Sequence, residues 1–270
     1  MDTVRSVVLR GSTHSVSDRE LAPASAFRRR SPGTRSKRSG WRRAVRHAVI
    51  LLVAVLAMSV AIGVGLLAAV PGVGNAPARV RAEVLSHGGQ LAATAPAKVG
   101  DALIAIEDQA FRSPPGVDIA YGAARYLYAR LSGHTGQGGS TLAQQLAKRL
   151  YTGPSRSPFT IAEQVGLAFK LELEYSHEQI LTMYLNDAYF GDGAYGITQA
   201  STRYFHRSPA SLDWAQASLL AGLVQAPSAL DPIVHPHLAL VRRNAVVAQL
   251  RATGELSPAA ARRVAAQPLL

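Results

Sequence analysis

The sequence predicts a mainly α-helical domain that follows a single membrane-spanning helix. Three observations predict this arrangement: a run of 23 uncharged residues from Ala48 to Val70, apolar residues at helical spacing from about residue 98 onward, and no long alternating strand pattern. A helix rises about 1.5 Å per residue, so the uncharged run can cross a hydrocarbon layer of about 30 Å.

Two alternatives to a membrane span are a buried core helix and a cleaved signal peptide. A buried core helix rarely runs this far without a polar break. A signal peptide needs a cleavage site with small residues, and Ala76-Pro77-Ala78 matches that pattern only weakly. The apolar region of a signal peptide also usually spans only about 7–15 residues. We therefore interpret the run as an uncleaved anchor.

Charge is concentrated at the N-terminus. The chain has a net charge of +12, of which residues 1–47 carry +9 through twelve Arg and Lys against three acids. The flank of a membrane span that is rich in Lys and Arg usually stays on the cytoplasmic side. We therefore expect residues 1–47 in the cytoplasm and residues 71–270 outside the bacterial cytoplasmic membrane. Nucleic-acid binding by this tail is the alternative, but the adjoining anchor explains the charge and we expect no nucleic acid as partner.

The composition divides the chain into five parts. We expect a basic disordered tail (1–43), a transmembrane helix (44–70), a stalk rich in Gly, Pro and Ala (71–90), a folded domain (91–250) and a C-terminal tail (251–270). The chain has no cysteine, which excludes disulfides, thiolate metal sites and a cysteine nucleophile.

Helices follow one another through the folded domain. The patterns that predict them are Val99, Leu103, Ile106 and Ala110; Leu142, Leu146 and Leu150; a capping box of Ser176 with Gln179; Trp214 to Leu220, closed by Gly222; and Leu238 to Leu250.

An acid pair, Glu107 and Asp108, ends the first of these helices beside Ile106 and Phe111. Burial of a carboxylate raises its pKa and can produce a general base or acid near neutral pH. A solvated helix-end pair is the alternative.

A glycine-led helix carries the second candidate site, from Gly138 to Lys148. Thr141, Gln145 and Lys148 share one helix face, opposite the leucines. A helix N-terminus and a lysine suit an anionic group such as pyrophosphate. An amphipathic helix with a solvated polar side is the alternative, and the Gly-Lys-Ser/Thr ending of a P-loop is missing. The later Tyr184–Ile197 segment, rich in Tyr and Gly, predicts a tight corner that shapes a groove wall.

Four segments occur in a recognisable order: EDQAF, GGSTLAQQLAK, YLNDAYFGDGAYGI and LLAGLVQAPSALDP. Together they resemble family-51 glycosyltransferases, the glycan-polymerising module of penicillin-binding proteins and of monofunctional transglycosylases. The resemblance covers about residues 91–250, and with no room for a transpeptidase after residue 250 we expect the monofunctional kind.

The resemblance implies a lysozyme-like, two-lobed, all-α fold, with part of one lobe dipping into the membrane. It implies polymerisation of lipid II into glycan strands with release of undecaprenyl pyrophosphate. The implied partners are lipid II, the growing glycan strand, membrane lipid and, as an open alternative, other cell-wall synthases.

The resemblance also assigns roles to residues. Glu107 matches the general base that deprotonates the acceptor's sugar 4-hydroxyl. The residues that match substrate-binding positions are Asp108, Phe111, Ser140, Thr141, Gln144, Gln145, Lys148 and Arg156.

Two departures from the family pattern stand out. Pro114-Pro115, rather than a His or His-Pro, precedes Gly116. The third motif usually reads Arg-Lys-x-x-Glu, but counting back from Tyr184 its Glu falls on Gln164 and its basic pair on Thr160-Ile161. That Glu is thought to assist the pyrophosphate side of the reaction, directly or through a divalent cation, the only cofactor that the resemblance leaves open.

The adjacent Glu163 is a candidate substitute for that acid. One residue rotates a helix by about 100°, so Glu163 faces elsewhere unless the loop containing Pro154 and Pro158 shifts the register. The changed motif leaves two alternatives to an active enzyme: a slow or inactive relative that binds lipid II or a partner synthase, and a lysozyme-like hydrolase.

Overall fold

The computed structural model describes residues 36–132, 139–155 and 157–270. Within these ranges the chain is helical and has no strand, only an isolated bridge between Tyr189 and Tyr195, which confirms the expected all-α, lysozyme-like fold class. The helices are α1 (Ser36–Ala69), α2 (Ala76–Ser86), α3 (Ala97–Glu107), α4 (Val117–Leu131), α5 (Leu142–Ala147) with a π-helical turn (Lys148–Thr152), α6 (Pro158–Glu174), α7 (His177–Asp187), α8 (Gly196–Phe205) with a 3₁₀ turn (Pro209–Ser211), α9 (Trp214–Leu223), α10 (Pro236–Ala252) and α11 (Pro258–Ala265).

The first helix contains the predicted membrane anchor. Gly40–Ala69 spans 30 residues with a mean hydropathy of 2.8 in its most apolar window, which is long and apolar enough to cross a membrane. The chain divides into two compact units, residues 1–55 and 56–270, and the features described below belong to the second. Residues 1–35 of the expected tail lie outside the described residues.

Three boundaries differ from the expected division of the chain. Helix α1 already begins at Ser36, because the basic flank continues the helix of the apolar run. The expected stalk contains α2, which buries Val80 and Val84 at helical spacing. The expected C-terminal tail contains α11, whose Ala261 and Val264 are buried. Both short helices have only a few small apolar residues on one face, which is a weak pattern in sequence.

Local capping fixes where several helices begin. The predicted capping box of Ser176 and Gln179 is confirmed at the start of α7. A second box, of Thr141 and Gln144, starts α5: the Thr141 hydroxyl accepts from the Gln144 N–H, and the Gln144 side chain accepts from the Thr141 N–H. Such boxes satisfy N–H groups that have no partner within the helix. The cap therefore sets the direction in which α5 presents Gln145.

The helices of the second unit pack in two groups. Helices α3, α9 and α10 form one group, with α11 against α10. Helices α5, α6 and α7 form the other, with α2 against α7. Glu107, the last residue of α3, reaches side chains of both groups.

Candidate active site

The carboxylate of Glu107 lies between the two helix groups, and 15% of its side chain is exposed. Arg242 of α10 donates from Nη2 to Oε1 at 2.7 Å. Gln145 of α5 donates from Nε2 to Oε2 at a long 3.4 Å. The arginine holds Oε1 by a charge-assisted hydrogen bond, and Oε2 remains the less engaged oxygen.

A second layer of contacts orients Gln145. The Tyr184 hydroxyl of α7 donates to Gln145 Oε1 at 2.8 Å, so the amide nitrogen is the end that faces Glu107. Burial raises the pKa of Tyr184 to about 12, which keeps this hydroxyl a donor at neutral pH. The Arg149 guanidinium lies 4.8 Å from the centre of the Tyr184 ring. Tyr184 therefore lies between the carboxylate and the next cation.

A cation-lined cavity lies on the far side of Tyr184. Its volume is about 790 Å³, and Arg79, Lys148 and Arg149 contribute its positive charge. Asp187 also lines it, with Oδ2 3.9 Å from Arg149 Nη1, and burial raises the pKa of Asp187 to about 6. Arg149 Nη1 is buried without a hydrogen-bond partner among the described residues. An anionic oxygen in the cavity would satisfy that nitrogen.

Three buried carboxylates support the loop between Glu107 and α4. Asp108 accepts from the Leu142 N–H at 2.9 Å, and Glu172 accepts from the Gly116 N–H at 2.7 Å. Asp118 lies close enough to Glu172 for the two carboxyl groups to interact. Burial raises the pKa of Asp108 to about 6 and that of Glu172 to about 8. This carboxylate cluster joins the loop to the start of α5 and to α6.

Several residues expected to touch substrate lie inside the protein instead. Asp108, Phe111 and Thr141 are 4%, 1% and 1% exposed. Asp108 holds the loop, Phe111 packs edge-on against His177, and Thr141 caps α5. Ser140 is exposed and Gln145 half-buried, whereas Gln144 is committed to the capping box. Arg156 and Gly138 lie outside the described residues.

The third-motif position is turned toward a hydroxyl group. Gln164 of α6 donates from Nε2 to Thr152 Oγ1 at 2.9 Å, at the end of the turn that begins with Lys148. In the described part of the chain, the side chains that hydrogen-bond to Glu107 are Gln145 and Arg242, and neither Gln164 nor the half-buried Glu163 is among them. No group of three His, Cys, Asp or Glu side chains suited to a metal ion is found in the described ranges.

Sequence reasoning missed Arg242, Arg149 and Tyr184 as members of the site. Two signals were present. The pair Arg242-Arg243 stands between the apolar runs Leu238–Val241 and Ala245–Ala248 of the predicted helix, and Arg149 directly follows the predicted Lys148. Arginine side chains that become buried are expected to form ion pairs or hydrogen bonds with a partner elsewhere in the fold.

A half-buried carboxylate near a cavity lined by cations suits a domain that activates an alcohol beside an anionic leaving group. The family model described as Transglycosylase matches residues 88–251, and the chain belongs to that family.

Several similar proteins are penicillin-binding proteins. The chain is 37% identical over 163 residues to penicillin-binding protein 1F of Bacillus subtilis, covering 60% of this chain and 23% of that protein. It is 41% identical over 169 residues to penicillin-binding protein 1A of Mycolicibacterium smegmatis, covering 61% and 21%. It is 38% identical over 154 residues to penicillin-binding protein 2a of Streptococcus pneumoniae, covering 57% and 20%. The chain thus spans about a fifth of the length of these relatives.

Proposed function

We propose that the protein is a peptidoglycan glycosyltransferase that polymerises lipid II into glycan strands and releases undecaprenyl pyrophosphate. The observation that carries the proposal is the position of Glu107, held by Arg242 and Gln145 and separated by Tyr184 from the cavity of Lys148 and Arg149.

Glu107 acts as the general base. Its Oε2 takes the proton of the acceptor's sugar 4-hydroxyl while the hydroxyl oxygen bonds to the anomeric carbon of the donor. The bond from that carbon to the pyrophosphate oxygen breaks, and its electron pair leaves with undecaprenyl pyrophosphate. Lys148 and Arg149 stabilise the charge that develops on this leaving group.

Because position 164 is Gln, the pyrophosphate side of this mechanism lacks one acid that the family motif usually provides. Its amide has no charge, and its Nε2 is engaged by Thr152. Leaving-group stabilisation then depends on the cations of the cavity, and a divalent cation there has no carboxylate from this position. Glu163 is the one neighbouring acid on α6 that could take over the role.

The buried residues of the first two motifs act as positioning residues. Asp108 and Thr141 fix the loop and the start of α5, and Phe111 anchors the same loop in the core. Direct substrate contacts are left to Ser140, Gln145 and Lys148, with Arg156 as a further pyrophosphate ligand.

The proposed setting is a bacterial cytoplasmic membrane crossed once by α1. Residues 1–47 lie in the cytoplasm and residues 71–270 outside, where lipid II is polymerised. Membrane lipid and the growing glycan strand contact the protein there, and other cell-wall synthases are candidate partners.

Gln164 also favours a second candidate function, a relative that binds lipid II or a partner synthase without turnover. The test is polymerisation of lipid II by the purified full-length protein in detergent, for the parent, Gln164→Glu and Glu163→Gln. We expect the parent to make glycan strands and Gln164→Glu to change the rate only modestly.

The enzyme proposal would be overturned if the parent is inactive and the Gln164→Glu variant is more active by about 10²-fold or more, which is the usual contribution of general acid–base help. Loss of activity in Glu163→Gln would assign the acid role to that neighbour, whereas no effect would remove Glu163 from the mechanism. Release of muropeptides from purified sacculi would instead indicate a hydrolase.

A further inference from the structure

Asp187, the last residue of α7, is a buried acid in the wall of the cation-lined cavity. Its side chain is 5% exposed, and its Oδ2 lies 3.9 Å from Nη1 of Arg149. That distance is too long for a hydrogen bond, so the two groups attract each other without satisfying each other. Arg149 Nη1 is buried and has no hydrogen-bond partner in the described part of the chain. This nitrogen can therefore donate to a group that enters the cavity.

The charged groups that share the cavity with Asp187 come from two other elements. The turn after α5 contributes Lys148 and Arg149, and α2 contributes Arg79 and Glu83. With both acids ionised, the described lining carries a net charge of +1. A pyrophosphate ester carries several negative charges at neutral pH, which is more than this lining neutralises.

The other titratable groups of the described lining are the phenols of Tyr189 and Tyr195, in the segment that follows α7. Arg79 is already engaged in part, because its Nη1 donates to the Leu150 carbonyl at 2.9 Å and its guanidinium lies over the Tyr151 ring. The cations left to meet an anion in the described lining are therefore mainly Lys148 and Arg149.

The ionisation of Asp187 is sensitive to an added charge. Burial raises the pKa of Asp187 to about 6, Arg149 opposes that shift, and Glu83 adds to it. A further negative charge within about 4–6 Å disfavours the ionised form of a carboxyl group. An anion that accepts a hydrogen bond from Arg149 is brought into that range, because Arg149 itself lies 3.9 Å from Asp187. Binding of the anion therefore favours the protonated form of Asp187.

The neighbouring groups are less suited to take up this proton. The side chain of Glu83 is 52% exposed, so water stabilises its charge. Gln164 of α6 has no charge to lose, and its Nε2 donates to Thr152. Glu163 is not part of the described lining. Asp187 is thus the buried acid among the described residues of the cavity wall.

We propose that Asp187 binds a proton when a pyrophosphate group enters the cavity and donates a hydrogen bond to that group, an inference that rests on the proposed function for the identity of the anion. The proton comes from water, and no covalent bond to Asp187 forms. Arg149 Nη1 donates to the same anion. An uncharged donor thus replaces a carboxylate that would repel the leaving group as its charge develops.

The test is isothermal titration calorimetry of the full-length protein in detergent with farnesyl pyrophosphate at pH 7. Two buffers that differ in ionisation enthalpy give the number of protons taken up per ligand bound. We expect the parent to take up roughly half a proton to one proton more than Asp187→Asn, whose amide has a similar shape but does not titrate. Glu178→Gln, exposed on α7 and outside the cavity, is the matched control and should behave as the parent does.

The same coupling predicts a pH dependence of affinity. A ligand that binds together with a proton binds more weakly as the pH rises through the range in which that proton is taken up. Between pH 7 and pH 8 we expect the affinity of the parent for farnesyl pyrophosphate to fall by up to about tenfold more than that of Asp187→Asn.

Equal proton uptake by the parent and Asp187→Asn would overturn the proposal. Loss of the extra proton in Glu83→Gln, with uptake retained in Asp187→Asn, would place that proton on Glu83 and overturn it as well. A parent that does not bind farnesyl pyrophosphate at millimolar concentration would also contradict it. If Asp187→Asn does not fold, Asp187→Ser removes the acid in its place.

Failure of this inference can be told apart from failure of the proposed function, because the calorimetry does not depend on turnover. A protein that takes up the extra proton but makes no glycan strands would contradict only the glycosyltransferase proposal. A protein that polymerises lipid II without the extra proton would contradict only the role of Asp187.

Discussion

At the scale of single residues, the two oxygens of Glu107 have different surroundings. Oε1 accepts a charge-assisted hydrogen bond from Arg242 at 2.7 Å, whereas Oε2 has only a 3.4 Å contact with Gln145. The first contact fixes the plane of the carboxylate. The second leaves an oxygen that an alcohol can displace, so Oε2 is the atom that accepts the proton.

Arg242→Gln tests the first contact. A hydrogen bond to a charged group contributes about 1.5–3 kcal/mol, so we expect kcat to fall by roughly 10–10²-fold. The neighbouring Arg243→Gln is the control: Arg243 is fully buried and donates to the carbonyls of Ala265, Gln267 and Pro268. The Arg243→Gln substitution should lower the melting temperature and leave the activity of the folded fraction unchanged. An equal loss of kcat in both variants would show that the contact of Arg242 with Glu107 has no specific effect on the reaction.

Tyr184→Phe tests the residue that orients Gln145. Losing one hydrogen bond of about 1 kcal/mol should lower kcat about fivefold and leave KM nearly unchanged. Tyr204→Phe is a matched control, because this buried tyrosine donates to the Phe190 carbonyl instead. Steady-state kinetics and thermal melting of both proteins check the prediction. An equal loss of kcat in Tyr204→Phe would show a general effect of stability.

At the scale of helices and loops, local patterns in the sequence predicted the helices correctly, whereas contacts between residues far apart in the chain could not be predicted from them. The helical spacing of Val99, Leu103 and Ile106 and the capping box of Ser176 predicted α3 and α7. The ion pair of Glu107 with Arg242 joins residues 135 positions apart, and no local pattern encodes it. Burial of Thr141 likewise follows from packing of the helices and not from the polarity of its own segment.

The carboxylate cluster predicts a pH dependence of stability. The pKa of Glu172 is about 8 and that of Asp108 about 6 in the folded protein, both above their ordinary values of 4.5 and 3.8. The folded state therefore holds protons that the unfolded state has released. The stabilisation is complete below about pH 4 and is lost as pH rises toward 8.

Glu172→Gln mimics the protonated acid and should raise the melting temperature at pH 8.5 by a few degrees, with little effect at pH 5. A change of 1 kcal/mol moves the melting temperature by roughly 2–4 °C in a domain of this size. Glu174→Gln, exposed on the same helix, is the control and should have no such effect. Melting curves across pH measure it. A Glu172→Gln protein as sensitive to pH as the parent would contradict shared protonation in the cluster.

At the scale of the whole molecule, the proposed reaction requires residues 71–270 to lie on the outer side of the membrane. The chain contains no cysteine, so single introduced cysteines report topology without background. We expect Ala259→Cys, at an exposed position of α11, to react with a membrane-impermeant thiol reagent in intact cells. Ser12→Cys should react only after permeabilisation. The reverse pattern would contradict the proposed orientation.

The most direct measurement is the initial rate of undecaprenyl pyrophosphate release from lipid II by the parent, Glu107→Gln and Asp101→Asn. Both variants replace a carboxylate of α3 by an amide, but Asp101 pairs with the exposed Arg112 away from the cavity. We predict a loss of about 10²–10⁴-fold for Glu107→Gln with lipid II still bound, and a rate close to the parent for Asp101→Asn. A Glu107→Gln protein that releases pyrophosphate as fast as the parent would contradict the assignment of Glu107 as the base.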